Sequence, residues 1–87
     1  MTFLPPTLKR QTTYRAFTGQ WLGDENGVIP ARFEERVAVA EAKIAAKMQP
    51  GDELWEWESG DRAFAMTWGL AIVRGGEVVD SWYEWKS

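Results

Sequence analysis

The sequence predicts an α+β fold in which one amphipathic helix, about residues 30–48, packs on an antiparallel three- or four-stranded β-meander over about 52–58, 62–74 and 77–85. Residues 11–22 are the candidate for an extra strand or a covering ribbon. Three observations predict this. Apolar residues recur at helical spacing between Pro30 and Met48, they recur at every second position from Glu53 to Trp85, and short glycine-bearing segments punctuate that second region.

Pro30 suits the first helical position, because its fixed φ fits a helix and its missing N–H leaves no bond unmade. Glu34 and Glu35 then sit near the positive end of the helix dipole, with Lys43 and Lys47 toward the negative end. At 100° per residue, Phe33, Val37, Ala40, Ile44 and Met48 share one stripe, which is the predicted core face. The back carries Ala38, Val39, Ala42 and Ala46. Alanine there is explained by helix propensity, and a shallow contact surface for a second copy is the alternative. Pro50-Gly51 ends the segment.

The long middle strand places Phe64, Met66, Trp68, Leu70 and Ile72 on one side and Ala63, Ala65, Thr67, Gly69 and Ala71 on the other. Ser59-Gly60-Asp61 is the expected first turn. Gly75-Gly76 is the second, matching a two-residue turn that needs positive φ. The bulky side is expected to meet the helix, joined by Trp55 and Trp57 from the neighbouring strand. The small side then reads as a shallow trough, with Glu56 and Glu58 on one wall and Asp80 and Glu84 on the other. Trp82 stands at its margin. In a regular last strand, Trp82 and Trp85 point to opposite faces, so one of them is expected to face outward.

An 87-residue chain is too short for two ordinary domains, so a single domain over 1–87 is expected, with 1–8 as a loosely held lead-in around Pro5-Pro6. A chain this small buries only about 60–65% of its unfolded surface, so large apolar side chains matter. Five of the six tryptophans lie in the meander region. Trp55, Trp57 and Trp68 are assigned to the core for that reason, and Trp21 is placed to close one end of it. No stretch of about 18 apolar residues occurs, and the N-terminal residues lack the pattern of a signal peptide, so a cytoplasmic, bacterial-type protein is expected.

Net charge is −3, unevenly placed: Lys9, Arg10 and Arg15 precede the first acidic residue, Asp24, so the first 23 residues carry +3 and the remaining 64 carry −6. Three cations are few against the phosphate contacts of a nucleic-acid binder, so nucleic acid is not an expected partner. An internal use is expected instead, with the basic segment lying against an acidic sheet face.

Cysteine and histidine are both absent, which removes thiol nucleophiles, thiolate metal sites and the commonest proton-transfer group. The pairs Glu56/Glu58 and Asp80/Glu84 invite comparison with a glycosidase acid and base. So short a chain, though, offers little depth in which to desolvate one carboxylate. In Asp24-Glu25-Asn26-Gly27, setting the glycine at position six of a calcium loop puts Leu22 and Phe33 at the outer ligand positions, where neither side chain can bind. No enzymatic activity and no cofactor are expected.

The segments Gly51 to Trp57 (GDELWEW) and Gly69 to Trp82 (GLAIVRGGEVVDSW) resemble small uncharacterised alphaproteobacterial proteins, in which a GDELWEF-like strand precedes a GYALVRDGKVVDS-like hairpin. The resemblance covers roughly the last 40 residues. It implies a recurrent hairpin scaffold and a bacterial origin, and brings no activity with it.

The functional expectation is therefore a small interaction protein engaging a protein partner or a second copy through Glu56, Glu58, Thr67, Asp80, Trp82 and Glu84. Two alternatives stand beside it. One is a sugar or cation bound on the same tryptophan and carboxylate face. The other is a regulatory or phage-type inhibitor.

Overall fold

The computed structural model describes residues 7–61 and 65–86. Among these the elements run β1 (Thr7–Gln11), α1 (Tyr14–Leu22), a 3-10 turn (Ala31–Phe33), α2 (Glu34–Lys47), β2 (Glu53–Asp61), β3 (Ala65–Arg74) and β4 (Glu77–Lys86). The α+β class is as the sequence predicts. The chain divides into a helical unit, Thr12–Pro50, and a sheet unit formed by residues 7–11 with the segment from Gly51 onward.

In the helical unit, residues 14–22 are a helix and not the extra strand expected over 11–22. The physical reason lies at Thr13, whose extended backbone and side-chain oxygen cap the helix by accepting from the Ala16 N–H at 3.1 Å. Once the helix starts, Tyr14, Phe17 and Trp21 fall at spacings of three and four. Phe17 is fully buried, and its ring lies 4.7 Å from that of Trp21. The helix ends against a tight loop, in which Asp24 Oδ1 accepts from the Asn26 and Val28 N–H groups at 2.8 and 3.0 Å. Gly27 comes so close that a Cβ on Gly19 would sit 2.7 Å from its carbonyl oxygen.

α2 begins four residues later than the expected start, because Pro30 has φ −57° and ψ 145°, and so precedes the 3-10 turn as its cap. The predicted stripe holds: Val37 and Ile44 are buried, and Phe33, Ala40 and Met48 are half-buried. α1 and α2 are joined by Arg15, whose guanidinium donates to both carboxylate oxygens of Glu34 at 2.8 Å and to Glu41 at 2.7 Å. Those bonds raise the pKa of Arg15 and hold the Glu34 carboxyl below its ordinary value.

In the sheet unit, four antiparallel strands lie in the order β1-β2-β3-β4, so the meander is as expected and the fourth strand comes from Thr7–Gln11. The expected lead-in over 1–8 falls outside the described residues, apart from Thr7 and Leu8, which belong to β1. Gly75-Gly76 is the tight turn, with φ of +59° and +83°. The first turn is displaced from its predicted place. Ser59, Gly60 and Asp61 stay in the ladder, opposite Thr67, Met66 and Ala65, and residues 62–64, expected to begin the middle strand, lie outside the described residues.

Register decides the faces, since directly opposed residues in an antiparallel pair share a side. Leu54, Glu56 and Glu58 oppose Ile72, Leu70 and Trp68, whereas Trp55 and Trp57 oppose Ala71 and Gly69. The two tryptophans therefore lie on the small-residue face, and the two glutamates on the bulky one. This is the reverse of the predicted arrangement.

β4 carries an extra residue at Val79 and another at Glu84, where its register with β3 shifts. The second shift places Trp82 opposite Leu70 and Trp85 opposite Trp68, two positions of one face. The expectation that one of these tryptophans points away from the other is thus overturned by a bulge. Both are half-buried.

Candidate functional site

The six residues singled out from the sequence are partly brought together. Glu56, Glu58, Asp80 and Trp82 occupy the face of Trp68, Leu70 and Ile72, with Glu84 in the bulge beside Trp82. Thr67 opposes Ser59 and Lys86 on the other face. No acid-walled trough forms over the small residues. A tryptophan takes that space: Trp57 is 7% exposed, its indole N–H donates to the Leu70 carbonyl at 3.0 Å, and a Cβ on Gly69 would lie 2.3 Å from its ring. Glycine at 69 thus serves close packing, where the sequence reading saw a binding floor.

Glu56 and Glu58 are engaged within the sheet unit. Arg10 pairs with Glu56, which is only 8% exposed, and Lys9 reaches Glu58 at 3.1 Å. Arg10 gets there because it opposes Glu56 in the β1–β2 register, while Lys9 occupies the irregular position between Leu8 and Arg10. With Arg15 bonded to Glu34 and Glu41, all three early cations meet later carboxylates. The expected contact with an acidic sheet face holds for Lys9 and Arg10, whereas Arg15 meets the carboxylates of α2 instead.

The β4 side is built differently. The Trp82 indole donates to Glu84 at 2.7 Å, as Trp55 does to Glu53 on β2 at 3.1 Å. Arg74, the last residue of β3, forms a two-pronged pair with Asp52 at 2.8 and 2.9 Å, which ties the Gly75-Gly76 hairpin to the start of β2 and raises the pKa of Arg74. Along the strand, Val78, Val79 and Tyr83 are exposed, at 51%, 47% and 69%. These three are not among the residues that the sequence marks out. Their signal was the adjacent pair Val78-Val79, which breaks the two-residue alternation, on the strand that must end the meander.

Among the described residues, no three His, Cys, Asp or Glu side chains converge where a metal ion could sit. No helix of the described residues is long and apolar enough to cross a membrane. On α2, Glu35, Arg36, Val39, Ala40 and Lys43 line a shallow, open depression. Comparisons with protein-family models, with curated proteins and with solved structures find no match to this chain.

Proposed function

We propose that this protein is a small non-enzymatic binding module that captures an extended segment of a partner protein by strand addition along the outer edge of β4. One observation carries the reading. β4 is ten residues long, has a hydrogen-bonded neighbour on one side only among the described residues, and exposes Val78, Val79 and Tyr83. An open edge of that length offers a row of backbone donors and acceptors, and apolar side chains beside it add contact area. Asp80, Trp82 and Glu84, three of the residues chosen from the sequence, belong to the same strand. Sugar or cation binding has less support, since Glu56 and Glu58 already hold the cations of β1.

The test is a peptide selection against the full chain, followed by amide hydrogen exchange. Selected binders are expected to slow exchange in residues 77–86, and a Val79→Lys/Tyr83→Lys variant is expected to fold and to lose them. Protection that maps elsewhere, or undiminished binding by the variant, overturns the reading.

A further inference from the structure

We infer that the extended segment taken up by β4 is the β4 of a second copy, paired antiparallel about a two-fold axis at Ser81; this rests on the strand-addition reading above. A strand that pairs with its own copy has two conditions to meet. Residues set directly opposite each other in an antiparallel pair share a side of the sheet, and like charges placed opposite each other destabilise the pairing. The two bulges make the first condition selective. Register with β3 puts Glu77, Asp80, Trp82 and Trp85 on the face of Leu70 and Ile72, and Val78, Ser81, Tyr83 and Lys86 on the face of Gly69 and Ala71, with Val79 and Glu84 as the extra residues.

A two-fold axis normal to the sheet keeps every residue on its own side, so the possible registers can be compared one by one. Centred on Asp80, the pairing sets that carboxylate against itself and puts Val78 opposite Trp82 and Glu77 opposite Tyr83, pairs that lie on different faces. Centred on Trp82, it matches the faces but sets Asp80 against Glu84 twice. The Ser81 register meets both conditions. It opposes Ser81 to its own copy, Asp80 to Trp82 and Glu77 to Trp85, each pair on a common face, and no two like charges stand opposite each other. It also sets Val79 opposite Tyr83 twice, so that side chains 47% and 69% exposed cover one another. Since it runs from Glu77 to Trp85, nearly the whole of the ten-residue strand takes part. The contact is isologous and closes at two copies, with both β4 edges paired.

The chain has no cysteine, so a single introduced one reports the register. Directly opposed residues have Cα atoms about 4.5–5.5 Å apart, within reach of a disulfide, whereas a separation beyond about 7 Å is not. Under mild oxidation the full chain carrying Ser81→Cys is expected to form a linked dimer about tenfold faster than chains carrying Val79→Cys or Tyr83→Cys alone, while those two, mixed, link to each other. For the wild-type chain, sedimentation should show a reversible dimer with a dissociation constant on the order of 100 µM, and amide exchange in residues 77–86 should slow as concentration rises. The Val79→Lys/Tyr83→Lys variant opposes lysine to lysine in this register and should stay monomeric. A wild-type chain that is monomeric at about 1 mM, with selected peptides still protecting residues 77–86, overturns the second copy and leaves strand addition standing. A dimer that leaves β4 exchange unchanged, with no peptide protecting that strand, overturns both. A dimer that protects β4 but links best through a cysteine at 79 or 83 alone overturns the Ser81 register and the inference with it.

Discussion

β1 and β4 are the two edges of one sheet, and they are finished in opposite ways. β1 has five residues, an irregular step at Lys9, and two cations bonded back onto β2. A short, twisted, charged edge is a poor template for another strand. β4 is twice as long and acidic, and it carries two bulges together with three exposed apolar side chains. The bulges bend it without covering it. The difference teaches that carboxylates on one face of this sheet are employed differently at its two sides. Those on β2 hold the chain's own first strand, and those on β4 stand on the strand at the other end of the sheet order.

The comparison breaks most readily at the centre of the sheet. Trp57→Ala removes the ring from Gly69 and the bond to the Leu70 carbonyl. It should lower unfolding free energy by about 3–5 kcal/mol in a urea titration. A loss well under about 1 kcal/mol would mean that this face is not core and would reopen the trough.

Arg10→Ala comes next, because it takes a partner from the buried Glu56; about 1–2 kcal/mol is expected. Lys9→Ala, at an exposed pair, should cost no more than about 0.5 kcal/mol. Equal effects from the two would show that burial of Glu56 is not what secures β1.

A control lies in the helical unit. Arg15 holds the Glu34 carboxyl below its ordinary value of 4.5, so the folded state binds that proton less readily than the unfolded chain. The resulting stability is present above pH 4.5 and is lost as pH falls through the lowered value. Thermal melts of wild type and Arg15→Gln should therefore converge as the solution is acidified, with a small gap because both groups are exposed. A gap that widens in acid contradicts the assignment.

Smallest of all is the expected effect of Val79→Lys/Tyr83→Lys on stability, within about 0.5 kcal/mol, although binding at β4 is lost. Unfolding of this variant would make the exposed β4 side chains structural, and the contrast between the two edges would vanish.

Much of the fold was legible in the residues, and particular elements show where legibility stops. α2 was plain because Val37 and Ile44 recur at helical spacing toward Pro50-Gly51. α1 was misread. The alternating run Thr12 to Phe17 looks like a strand, and Gly19 looks like a break, yet the capping threonine followed by Tyr14, Phe17 and Trp21 is an equally local helix signal. The alternating run and the helix share Tyr14 to Phe17, and the packing of Phe17 resolves them.

The candidate site was less legible still. Carboxylates at alternate strand positions announce a shared face, but not which side chains share it or which cations reach them. By itself the sequence determined the antiparallel meander, the Gly75-Gly76 hairpin and the second helix, because period, turn chemistry and terminators act within a few neighbouring residues. Only the tertiary structure decided that Trp57 covers Gly69, that Arg10 and Lys9 hold Glu56 and Glu58, and that Trp82 and Trp85 share a face. These depend on register, which a displacement of one residue inverts. The ladder of β2 and β3 closes at the Asp61–Ala65 pair, and the register of β4 steps at Val79 and Glu84, relations between strands that residues neighbouring in sequence do not define.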